Sequence, residues 1–275
     1  MSDERYAVVG HPVNHSKSPR IHSLFARQTG EPVEYTAIQA PLDDFAATVQ
    51  QFFAGGGQGL NITVPFKEQA WELAQCRAPR AQKAGAANTL YHNREGQLTA
   101  DNTDGHGLVQ DLLDNHGVQL KGARILILGA GGAVRGVLGP VLEQMPASLT
   151  IANRTVAKAD ALVALFADEA GAISLSACGF GAPDQPFDVI INGTSASLQG
   201  NLPPLCANVM AANTVVYDMM YSSQTTTFNQ WALNNGAVRV FDGLGMLVEQ
   251  AAESFRIWRG VRPETAPVID ALRND

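Results

Sequence analysis

Short apolar runs alternate with stretches of helical periodicity from one end of the chain to the other, the pattern of an α/β architecture with mostly parallel strands. The run at 6–10 reads as a first strand. Ser18-Pro19 opens a helix, with serine as N-cap, proline at the first helical position, and Ile21, Leu24 and Phe25 on one face. A second helix over 42–53 is stopped by Gly55-Gly56-Gly57. A strand over 61–64 is closed by Pro65, and a helix over 66–74 follows at once. From Arg124 the alternation restarts as a second unit: strand 124–128, helix 132–144, strand 149–153, helix 156–167, and strands 188–191 and 214–217. Leu244, Leu247, Val248, Ala251, Phe255 and Trp258 have helical spacing and predict a closing helix over 244–258, after a Gly243-Leu244-Gly245 turn. The join at 104–122 reads as helical, which predicts stiff connections and a cleft between two lobes.

The apolar run Ile125-Leu126-Ile127-Leu128 feeds Gly129-Ala130-Gly131-Gly132-Ala133 and then a helical pattern. A strand that ends in a tight glycine turn, with a helix N-terminus behind it, offers backbone N–H groups and a positive dipole end to a pyrophosphate. Val134 stands where the third glycine of a dinucleotide fingerprint usually falls. Because roughly 120 residues precede this turn, about one ordinary domain, a separate folded unit is expected ahead of it. Two domains also fit 275 residues with 45% hydrophobic content.

Charge and composition narrow the partners. A net charge of −7 opposes non-specific attraction to nucleic acid or to an anionic membrane. Arg135 interrupts the most apolar region, and residues 1–5 carry no signal-peptide core, so a soluble cytoplasmic protein is expected. Cys76, Cys178 and Cys206 are far apart and lack Cys-x-x-Cys spacing, which predicts buried thiols with neither a disulfide framework nor a metal site.

Four polar loop motifs precede the glycine turn. In the first, 10–19, Ser16 and Ser18 lie two residues apart where a loop enters a helix, an arrangement that suits a carboxylate; Ser18 alternatively only caps its helix, and both hold if one serine caps and the other points out. In Asn61-Ile62-Thr63-Val64-Pro65-Phe66-Lys67, alternation puts Asn61 and Thr63 on one wall and turns Ile62 and Val64 to the core. Lys67 falls in the first turn of the next helix, where the dipole disfavours a cation. Gly85-Ala86-Ala87-Asn88-Thr89 and Asp101-Asn102-Thr103-Asp104-Gly105 add turn residues, with Asp104 placed to cap the helix through Leu108 and Leu112. Together these side chains suit a polyhydroxylated acid.

With Asn153-Arg154-Thr155, Ile191-Asn192-Gly193-Thr194-Ser195 and Asp242 to Gln250, these segments make eight ordered motifs by which the chain resembles the shikimate dehydrogenase family over its full length. The resemblance implies a substrate-binding α/β domain, 1–104 and 243–275, a Rossmann-like doubly wound NADP-binding domain, 105–242, and a cleft between them. It implies reversible reduction of 3-dehydroshikimate to shikimate with NADPH, a step of aromatic amino-acid biosynthesis, by a monomer or homodimer. Lys67 would be the acid/base, paired with Asp104. Ser16 and Ser18, helped by Tyr221, would bind the substrate carboxylate, while Asn61, Thr63, Asn88, Asp104 and Gln250 would hold its hydroxyls. The cofactor would lie on Gly129, Ala130, Gly131, Gly132, Ala133, Asn153, Arg154, Thr155, Lys158, Thr194, Met219 and Gly243. One departure is Thr225-Thr226-Thr227 after Tyr221, where the family pattern leads one to expect a proline.

The coenzyme choice can also be argued from the residues. An NAD site usually ends its second strand in a carboxylate, which accepts from the ribose hydroxyls and repels a 2′-phosphate. Here that strand runs into Asn153-Arg154-Thr155, with Lys158 one turn on, and two cations favour NADP. The competing readings are an NAD-using paralogue acting on quinate and a non-catalytic ligand sensor.

Overall fold

A computed structural model describes residues 4–194, 196 and 201–274. The chain forms two compact units, one running up to Gly107 and resuming at Val248, the other Leu108–Leu247. No helix among the described residues is long and apolar enough to cross a membrane.

The first unit contains β1 (Glu4–Gly10), α1 (Ser18–Thr29), β2 (Val33–Gln39), α2 (Phe45–Ala54), β3 (Gly59–Ile62), α3 (Lys67–Leu73), β4 (Cys76–Arg77), α4 (Pro79–Ala84), β5 (Thr89–His92), β6 (Leu98–Asp101) and the start of α5 (Asp104–Gln110). Its six-stranded sheet runs β2-β1-β3-β5-β6-β4. β1 pairs in parallel with β2 and β3, but β5 is antiparallel to both β3 and β6. The mostly parallel sheet expected from the sequence is therefore mixed here. The cause is local: β5 and β6 are joined by a tight turn with Gly96 at φ 77°, and so short a connection admits only a hairpin. On one sheet face Ala7, Val9, Leu60 and Ile62 pack with Phe45, Val49 and Phe66. On the other, Tyr6 and Tyr35 meet His22 and Trp258.

β7 (Arg124–Leu128), α6 (Gly132–Leu142), β8 (Ser148–Ala152), α7 (Val156–Leu165), α8 (Ala167–Ala170), β9 (Ser174–Cys178), β10 (Val189–Asn192), β11 (Val215–Asp218), α9 (Thr227–Asn234) and β12 (Arg239–Asp242) build the second unit. Its sheet is parallel throughout, in the order β12-β11-β10-β7-β8-β9. That is the doubly wound, Rossmann-like order, whose reversal lies between β7 and β10. Both faces are covered, so β7 is apolar from Ile125 to Leu128: Ile125 and Ile127 join one core, Leu126 and Leu128 the other. α10 (Leu244–Arg259) starts in this unit and continues into the first, and α11 (Ala266–Arg273) follows.

Several local expectations are corrected. α2 begins at Phe45 instead of 42, leaving Leu42 exposed. β3 spans Gly59–Ile62, so Val64 lies beyond the ladder and is 69% exposed instead of core-facing. Ser18 is inside α1 and is not its cap; Ser16 Oγ accepts the Ser18 N–H at 3.2 Å. Asp104 is the first residue inside α5 instead of its cap, and its carboxylate takes Lys67 and Asn88 as partners. Cys76 and Cys178 are half-buried and Cys206 is exposed, so the thiols are not all buried. The threonine run after Tyr221 has a local role: Thr226 Oγ1 caps α9 by accepting the Asn229 N–H.

Candidate functional site

In the first unit one polar network joins most of the substrate-site candidates. Lys67 enters it because α3 starts directly after Phe66, and its Nζ donates to Asp104 Oδ2 at 2.5 Å. The pair is partly sheltered, with side chains 30% and 13% exposed. Asn88 Nδ2 lies 2.9 Å from Asp104 Oδ1, 3.0 Å from Gln250 Oε1 and 2.8 Å from Thr103 Oγ1. Asn88 Oδ1 accepts from the Thr103 N–H and the Thr89 hydroxyl, so the carboxamide has a single orientation. Asn61 Nδ2 points to the Asn88 carbonyl, Thr89 Oγ1 and Ser254 Oγ, and Asn61 Oδ1 accepts from Tyr35. Lys67, Asp104, Asn88, Gln250 and Asn61 are thus brought together.

Behind the network, charge fixes α10 in place. Arg80 donates to both Asp101 oxygens and to Glu253, which also accepts from Arg256. Arg262 and Thr265 hold Glu249, the residue beside Gln250. Burial pushes the Glu253 carboxyl up, but Arg256, His106 and Arg80 outweigh it and hold it at about 2.

Other candidates stand apart. Ser16 bonds within its own turn. The Thr63 methyl fills the place that a Cβ on Gly10 would take, and its hydroxyl bonds to no described residue. Tyr221 belongs to the second unit, where burial raises its phenol above the ordinary value.

In the second unit the cofactor candidates line the C-terminal ends of the strands. Gly129 has φ 105°, and a Cβ there would press on Thr194 and Gly193. Gly131 and Gly132 face open space, and α6 begins there with no capping side chain and no acid in its first turn. Ala130 is half-buried and Ala133 exposed. The third glycine missing at Val134 has a counterpart across the sheet: a Cβ on Gly193 would collide with Val134 Cγ2. Gly243 similarly gives room to the Met219 carbonyl, and Thr194 is oriented by the buried Asn192. Ser195 of that motif lies outside the described residues. Past β8, Asn153 Nδ2 holds the Thr155 carbonyl, while Arg154, Thr155 and Lys158 are exposed. An open glycine turn, uncapped helix N–H groups and two exposed cations without a carboxylate at the strand end fit a dinucleotide bearing an extra phosphate.

A doubly wound nucleotide-type sheet in one unit and a lysine–carboxylate pair among hydroxyl-binding side chains in the other define a dinucleotide-dependent oxidoreductase. The family profile described as "Shikimate dehydrogenase substrate binding domain" matches residues 8–90. "Shikimate / quinate 5-dehydrogenase" matches 110–200, and "Shikimate 5'-dehydrogenase C-terminal domain" matches 243–273. Among curated relatives, a protein of Marinobacter nauticus named shikimate dehydrogenase (NADP(+)) is 71% identical over all of both chains. One of the same name from Alkalilimnicola ehrlichii is 60% identical over 98% of each. Among solved structures, an Ael1 enzyme from Pseudomonas putida is 49% identical over 98% of each chain, with a TM-score of 0.93. A shikimate 5-dehydrogenase from Thermus thermophilus, in complex with NADP(H) and shikimate, is 32% identical over 98% of this chain and 99% of that one, with a TM-score of 0.86. The chain belongs to the shikimate dehydrogenase family of oxidoreductases.

Sequence reasoning did not single out Tyr35 or Ser254. Ser254 had a usable signal, since it follows Gln250 by one helical turn and shares its face. Tyr35 lies in β2, a strand the apolar pattern does not announce.

Proposed function

We propose that this protein reversibly reduces 3-dehydroshikimate to shikimate with NADPH, in the cytoplasm, as a step of aromatic amino-acid biosynthesis. The observation that carries the reading is the Lys67–Asp104 pair at 2.5 Å, set among Asn88, Gln250 and Asn61. Bound NADP(H) supplies or accepts the hydride. A ketone oxygen that gains negative charge needs a proton, and the Lys67 ammonium both stabilises the charge and donates from Nζ. In the oxidative direction the Lys67 amine takes the hydroxyl proton. Asp104 aims Lys67 and balances its charge through Oδ2, while Asn88 holds Oδ1. Ser16 and Ser18, with Tyr221, take the substrate carboxylate; Asn61, Thr63, Asn88, Asp104 and Gln250 take its hydroxyls. In this reading residues 1–104 and 243–275 form the substrate domain and 105–242 the NADP domain. Gly129 to Ala133 face the pyrophosphate, Asn153, Arg154, Thr155 and Lys158 hold the 2′-phosphate, and Thr194, Met219 and Gly243 complete the cofactor site.

The test is a spectrophotometric panel of shikimate and quinate, each against NADP⁺ and NAD⁺. Shikimate with NADP⁺ should lead, with kcat/KM at least ~10²-fold above NAD⁺, because two charge-assisted bonds of roughly 1.5–3 kcal/mol each are at stake. Equal use of the coenzymes, or a preference for quinate, would sink the assignment in favour of the NAD-using paralogue. Binding of both ligands without turnover would make the protein a sensor.

A further inference from the structure

Tyr35 joins an aromatic cluster centred on His22, on the sheet face away from the Phe45 core. The His22 ring lies parallel to it, with centroids 4.1 Å apart and planes 3° apart, and Trp258 packs against both rings. Burial holds His22 neutral, at about 3, so the stack carries no charge. A phenol O–H lies in the plane of its ring, so clamping the ring confines the hydrogen to one plane. Within that plane the Tyr35 O–H donates to Asn61 Oδ1 at 2.7 Å. The opposite side of the same amide faces the Asn88 carbonyl, Thr89 Oγ1 and Ser254 Oγ at 3.2, 3.3 and 3.0 Å. The Asn88 carbonyl can only accept, so a flipped Asn61 would set its own oxygen against that carbonyl and leave the Tyr35 O–H without Oδ1 as its acceptor. Burial raises the Tyr35 phenol well above its ordinary value, so it stays a protonated donor to Asn61.

We propose that Tyr35 is a positioning residue for the substrate site: through its phenol it fixes the Asn61 carboxamide with Nδ2 toward the Asn88–Thr89–Ser254 cluster and Oδ1 toward Tyr35. This rests on the shikimate dehydrogenase reading above and adds a residue that contacts no reacting atom. Tyr35→Phe removes only the oxygen and keeps the stacked ring. It should raise KM for shikimate at least ~3-fold, the size of one net hydrogen bond, while kcat and KM for NADP⁺ stay within twofold of wild type. A smaller rise, or an equal rise for NADP⁺, overturns the proposal, as does a lowered melting temperature with both KM values unchanged. Should Tyr35→Phe alone fail to fold, Asn61→Leu is compared with Tyr35→Phe/Asn61→Leu, where neither polar partner is left orphaned. If Tyr35 acts through Asn61, the two share one KM within ~3-fold, and any larger difference rules that route out. Wild-type protein is assayed first: no shikimate turnover there fails the functional reading itself and takes this inference with it, whereas an active wild type with an indifferent Tyr35→Phe fails only the inference.

Discussion

A lysine in the first turn of a helix sits against the positive end of the helix dipole, and here the Asp104 carboxylate at 2.5 Å supplies the compensating charge. If that arrangement serves proton transfer, Lys67→Ala should lower kcat by ~10²–10⁴ and leave KM for shikimate nearly unchanged. A large rise in KM with intact kcat would recast Lys67 as a binding residue. At the other candidate site, Arg154→Ala should abolish most of the preference for NADPH by weakening NADPH alone, with NADH kinetics nearly untouched. Steady-state kinetics with both coenzymes would show a general loss if Arg154 instead served the fold. Lys67, Asp104 and Asn88 were singled out from sequence by the motifs that carry the family resemblance, and the structure joins them. Tyr35 was not, because its meaning comes from His22 and Asn61, which approach it only once the sheet has formed.

Elements show the same division between what is written locally and what is written across space. β7, β10 and β11 stand in the middle of a covered parallel sheet, so each contains a short apolar run that announces itself. The strands not foreseen include all four sheet edges, β2, β4, β9 and β12, where one flank is unpaired and apolar content thins out. α10 was legible through its apolar stripe, but the ion lattice around Glu253 was not, because Arg80 and Glu253 lie 173 residues apart. That lattice makes a pH-dependent contribution. Glu253 holds its carboxyl at about 2, below the unfolded value near 4.3, so its stabilisation is fully present above pH ~4.5 and is lost as pH falls towards 2. Allowing for screening, the contribution is roughly 2–3 kcal/mol. Urea unfolding of Glu253→Gln should show lower stability at pH 7 and a flatter pH dependence below pH 4.5. Parallel curves for the variant and wild type would contradict this.

For the whole molecule, the second unit is one continuous stretch with its own six-stranded sheet and a core on each face, whereas the first is split between the two ends of the chain. A fragment spanning 108–247 should therefore unfold cooperatively on its own, and a fragment ending at 107 should not, because it lacks Ser254, Phe255 and Trp258. Adding 248–275 as a separate peptide should restore structure to the latter, as read by circular dichroism and proteolysis. Cooperative folding of 1–107 by itself would contradict the expectation.

The split also fixes an order of events during synthesis. Once residue 107 has left the ribosome, the 140 residues of the second unit must follow before the complement of the first begins to appear. At ordinary elongation rates that interval is roughly 7–28 s. Throughout it the later-encoded unit can complete itself, while the earlier-encoded one waits with Tyr6, His22 and Tyr35 uncovered where Trp258 will pack. The nascent chain is most exposed to chaperones and to aggregation in the part that was made first.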